Sequence, residues 1–100
     1  MNITINGKTY ESGKITAAMT RRALELNVEA LDAAAKAEAL RDTKDPARAG
    51  ELLAAINSNI HLKAMLICDV FGGAFDEDAL LETVSNAELN GLIQEITRGK

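Results

Sequence analysis

The sequence predicts a mainly α fold: a short N-terminal β-hairpin, then two long antiparallel helices, then two short C-terminal helices. Three observations point there. Apolar residues recur at three- and four-residue steps over most of residues 16–97, strict alternation is confined to the first dozen residues, and a capping residue stands before each periodic segment. The 100 residues are expected to form one domain, 1–100, since that length supports a single core. Apolar residues make up 47% of the chain, and 17 of them are alanine. The 30 larger apolar side chains can each contribute roughly 1.5–3 kcal/mol when buried, which argues against disorder.

Residues 1–12 read as the hairpin. Ile3 and Ile5 alternate with polar residues, Asn6-Gly7 suits a two-residue type I′ turn, and Thr9-Tyr10-Glu11 returns. Thr16 can cap a helix over 16–41, in which Met19, Ala23, Leu26, Ala30, Ala33, Ala37 and Leu40 form one stripe. Leu24, Val28, Leu31 and Ala35 form a second stripe beside it. The alanine-rich half lets another helix approach closely while contributing little burial itself. Asp45-Pro46 is a cap and first-turn pair for a helix over 46–71. Its main stripe is Leu53, Ile56, Ile60, Ala64, Ile67 and Phe71, widened by Leu52, Leu62, Leu66 and Val70. Leu26, Leu40, Ile56, Ile60 and Ile67 are the expected core of the helix pair. Gly72-Gly73 stops the second helix, Asp76 can cap a third over 76–84, and Ser85-Asn86-Ala87-Glu88 is a capping box for a fourth over 86–97.

Charge is unevenly placed. Residues 1–63 hold nine basic and eight acidic side chains, whereas residues 64–97 hold seven acidic and no basic ones. A net charge of −4 argues against nucleic-acid binding, which needs a basic face. No apolar run reaches the ~18 residues of a spanning helix, and the N-terminus lacks the charged start of a secretory signal, so a soluble chain without a membrane partner is expected. The single Cys68 excludes an internal disulfide and fits a reducing compartment. The acidic third reads either as a solvated face or as a docking surface for a partner with basic residues beside an apolar seam. Six apolar residues there, Leu80, Leu81, Val84, Leu92, Ile93 and Ile96, outnumber what two short helices can bury against each other. They are the candidate partner-binding residues, the alternative being that they cover the end of the long-helix pair.

Chemistry has little to stand on. His61 and Cys68 lie about two turns apart on one helix, too far for a nucleophile–base pair, and they lack the companions a zinc site needs. Asp76-Glu77-Asp78 lacks the glycine and closing glutamate of a calcium loop, and Gly72-Gly73 lacks the Lys-Ser/Thr of a phosphate loop. No catalytic residue, metal or cofactor is expected, and the protein is read as no enzyme.

Met1-Asn2-Ile3-Thr4-Ile5-Asn6-Gly7-Lys8-Thr9-Tyr10-Glu11 leads into Lys14-Ile15-Thr16-Ala17-Ala18-Met19-Thr20-Arg21-Arg22-Ala23-Leu24-Glu25. Later come Val70-Phe71-Gly72-Gly73-Ala74-Phe75-Asp76-Glu77-Asp78 and Leu92-Ile93-Gln94-Glu95-Ile96. In this order, over nearly the whole chain, they resemble the tail assembly chaperones of long-tailed, siphovirus-type phages and prophages of Gram-positive bacteria. The resemblance implies a protein of the host cytoplasm, absent from the finished virion. It would keep the long tape-measure protein soluble, help recruit tail-tube subunits, and self-associate weakly. It also implies a longer product made by ribosomal slippage, which carries the tail-tube-recruiting part. Arg98-Gly99-Lys100 is compatible with a slippery run of three G and three A, with Lys100 at the slip point. Two other classes stay open: a small helical interaction module or regulator, and a head–tail connector or structural subunit. A chaperone should self-associate reversibly, whereas a connector should form stable rings.

Overall fold

The computed structural model describes residues 1–99, so Lys100, the expected slip point, lies outside the described residues. Strands β1 (Asn2–Ile5) and β2 (Lys8–Glu11) pair antiparallel, with Ile5 opposite Lys8. That register leaves two turn residues. Asn6 at φ 53° and Gly7 at φ 81° give the type I′ geometry that matches strand twist. One face of β1 carries Ile3 and Ile5 into the core, and the other presents Thr4, whose hydroxyl bonds that of Thr9 at 3.0 Å.

Helices α1 (Ala17–Asp42), α2 (Pro46–Val70), α3 (Glu77–Thr83) and α4 (Asn86–Thr97) follow. Each start has the expected cap. Thr16, Asp45, Asp76 and Ser85 accept from the amides of Met19, Ala47, Ala79 and Glu88 at 3.2, 3.1, 2.8 and 3.1 Å. At the end of α2, Gly73 N–H donates to Cys68 C=O and Gly72 N–H to Asp69 C=O. With both glycines at positive φ, this is a Schellman stop.

The long helices are antiparallel. Arg22, early in α1, pairs with Asp69, late in α2, at 2.9 Å, while Ala30, Ala33 and Ala37 lie opposite Ile56, Asn59 and Ile60. The Arg22–Asp69 pair is solvent-exposed and worth at most about 1 kcal/mol, so it marks register more than it stabilises. Along the helix pair, burial is concentrated at one end. There β1, the start of α1, the end of α2, α3 and α4 enclose Ala23, Leu66, Ile67, Leu80, Leu89, Ile93 and Ile96. Phe75 stacks edge-on with Tyr10 at 5.3 Å and lies 5.4 Å from Phe71, sealing the hairpin to the α2–α3 corner. Thr20 Oγ1 donates to Ile96 C=O at 3.2 Å, tying α1 to α4.

The other half of the helix pair projects as an arm. At 1.5 Å per residue the 26 residues of α1 span about 39 Å, close to the 44 Å long dimension of the molecule. Two expected stripes need correcting. On α2 the inward side is Leu52, Asn59, Lys63, Leu66 and Val70 together with Ala64 and Ile67, whereas Leu53 and Leu62 are exposed. At 100° per residue Leu53 and Leu62 fall about a quarter turn to either side of this line, so both lie at the edges of the inward face. Of the expected core, Leu26 and Ile67 are buried, Leu40 and Ile56 on the arm are half-buried, and Ile60 is half-buried at the margin of the core. On α1 the second stripe does not lie beside the first. At 100° per residue it falls about half a turn away, so Leu24, Val28 and Leu31 face solvent at 52%, 69% and 76% exposure.

Candidate partner-binding surface

The six candidate residues separate by depth. Leu80, Ile93 and Ile96 have no exposed surface and sit in the core. Helix α3 packs on α2, and α4 packs on α1 and α2, so the two short helices bury these side chains against the long pair, not against one another. Leu81, Val84 and Leu92 are half-buried and line open clefts. Leu81 and Val84 border a cleft of about 230 Å³ with Ile60 and Leu89, while Val84 and Leu92 border one of about 380 Å³ beside β1.

The acidic third also divides. Asp76 caps α3, Asp69 pairs with Arg22, and Glu77 accepts from His61 Nδ1 at 2.7 Å, joining α3 to α2. These three carboxylates serve the fold. Asp78, Glu82, Glu88 and Glu95 form no ion pair among the described residues. Glu88 and Glu95 flank the larger cleft around Val84 and Leu92. An apolar seam edged by unpaired carboxylates suits a partner with basic residues beside its own apolar stripe.

A second apolar surface escaped assignment as a site. Leu24, Val28 and Leu31 run along the outside of α1, and Leu53, Leu62 and Met65 are exposed on α2. The spacing of the α1 stripe was visible in the sequence, and 100° per residue would have placed it opposite the buried stripe. Asn59 and Lys63 were also missed, because polar residues inside an apolar stripe interrupt the pattern that marks burial. Burial pushes the Lys63 ammonium below its ordinary range. Cys68 is half-buried against the core. Burial first, then Asp69, Glu77 and Asp76, push its thiol upward and disfavour the reactive thiolate. Among the described residues, no group of three or more His, Cys, Asp or Glu is placed to hold a metal ion, and no helix is long and apolar enough to cross a membrane.

The chain is an elongated helical protein with uncovered apolar stripes, its polar groups spent largely on caps and inter-helix ties. The sequence matches the phage tail chaperone protein family over residues 1–99, and the chain belongs to that family. Nothing among curated proteins or solved structures matches it.

Proposed function

We propose that this chain acts in the host cytoplasm as a binding protein without catalytic activity, holding the tape-measure protein soluble and helping bring tail-tube subunits to it. Membership in the tail chaperone family supports the assembly role. The observation that carries the choice of partner is the solvent-facing stripe Leu24, Val28 and Leu31, about half a turn around α1 from the side that faces α2. A tape-measure protein is long, helical and apolar-striped, and an amphipathic helix laid along α1 would cover this stripe at i, i+4, i+7 spacing. Covering three residues already half to three-quarters exposed contributes on the order of a few kcal/mol, suited to a contact that must later release. Leu81, Val84 and Leu92 extend the surface into the acidic third, where Glu88 and Glu95 select basic flanks. The same stripes account for weak, reversible self-association. Tail-tube recruitment belongs to a longer product of the same gene made by ribosomal slippage, and the nucleotide sequence tests this by the presence of an overlapping open frame one nucleotide back.

Co-purification tests the partner. Tagged wild-type chain should capture co-expressed tape-measure protein, and Leu81→Asp and Leu31→Asp should each lose it while the circular dichroism melt stays nearly unchanged. Loss of capture together with loss of the melt would assign the substituted residue to the core.

A further inference from the structure

A polar anomaly lies where α1, α2 and α4 meet. A cavity of about 230 Å³ opens there, floored by Ala30, Ala33 and Ala37 with Ile56 and Ile60 on its wall. Two polar side chains of α2 line it, Asn59 and Lys63, one helical turn apart and each only 6% exposed. The Lys63 ammonium donates to Asn90 Oδ1 of α4 at 2.9 Å, and among the described residues no carboxylate comes within ion-pair distance of it. The Asn59 amide nitrogen is buried and has no hydrogen-bond partner. A neutral acceptor can relieve a buried N–H, but it leaves a desolvated ammonium without a counter-charge. An anion with two oxygens answers both. The alanine floor gives the rest of such a ligand an apolar bed and lets a helix come close.

We propose that the cleft between α1, α2 and α4 is a carboxylate site, taking an Asp or Glu side chain from an otherwise apolar helix of the partner. One oxygen accepts from Lys63 Nζ, which Asn90 holds in place from α4, and the other accepts from Asn59 Nδ2 once a turn of that side chain brings the enclosed N–H to the cleft. The site complements the acidic cleft at Val84 and Leu92: one selects an acidic residue and the other basic ones, so together they fix the direction and register of a bound helix. This rests on the reading that the partner is a helical tail protein.

The test uses the full chain, 15N-labelled, titrated with isovalerate, a small branched carboxylate, and in parallel with isovaleramide, its uncharged counterpart. The expected result is a saturable shift of the Asn59 side-chain amide and of Lys63 with isovalerate, and binding at least about tenfold weaker for isovaleramide. Lys63→Met, which keeps the aliphatic stem, should lose the isovalerate response. Asn59→Asp, which places a carboxylate beside Lys63 within the chain, should lose it as well and raise the melting temperature. Absence of a saturable shift, equal binding of the amide, or an unchanged response in Lys63→Met would each overturn the carboxylate site. Failure of wild type to capture tape-measure protein would overturn the proposed function instead, and the small-anion titration reads the cleft independently of that result.

Discussion

Leu66 and Ile67 have no exposed surface, and each sits where α2 meets the short elements. Ile67→Ala should lower unfolding free energy by about 2–5 kcal/mol in urea denaturation, a large share of the stability of so small a protein. Lys63 makes a prediction with the opposite sign. Burial lowers its folded-state pKa beneath the ordinary 10.5, so below the folded pKa the charge is carried at a cost. Between the folded pKa and 10.5 the unfolded chain binds more protons, and stability rises with pH. Lys63→Met should therefore be more stable than wild type at neutral pH, the gap closing as pH approaches 10.5. A gap that widens would refute this assignment. At this scale the sequence was legible where a residue acts alone, as Thr16, Asp45, Asp76 and Ser85 do in capping. It was least legible for Leu80, Ile93 and Ile96, whose depth depends on how α3 and α4 lie against the long pair.

The elements themselves followed closely from local chemistry. Asn6-Gly7 set the hairpin register, and Asp45-Pro46 and Gly72-Gly73 bounded α2 because each supplies a dihedral or a cap that few residues can. Gly72 lies at φ 68° with open space around the position of a Cβ, so its requirement is conformational and not steric. Gly72→Ala should destabilise by about 1–2 kcal/mol in thermal or urea melts, with the fold retained. Helix faces were harder to read than helix ends. The apolar stripes of α1 were found, but which one is covered depends on its neighbour. On α2 the true inward line runs through Asn59 and Lys63, which a hydrophobic pattern passes over.

At the scale of the whole molecule, a radius of gyration of 14.6 Å exceeds the ~13 Å of a compact 100-residue protein. The excess is the arm, where Leu52 is buried but Leu31 and Leu53 remain open. The fold invests its core at one end and leaves an arm with exposed apolar residues at the other, and on the proposed function a partner completes it. Amide hydrogen exchange, comparing the free chain with the chain co-expressed with tape-measure protein, tests this most directly. Added protection is predicted in two places, residues 24–35 of α1 and residues 81–92. Protection confined to the hairpin, or a stable complex with no added protection on the outer face of α1, would contradict it.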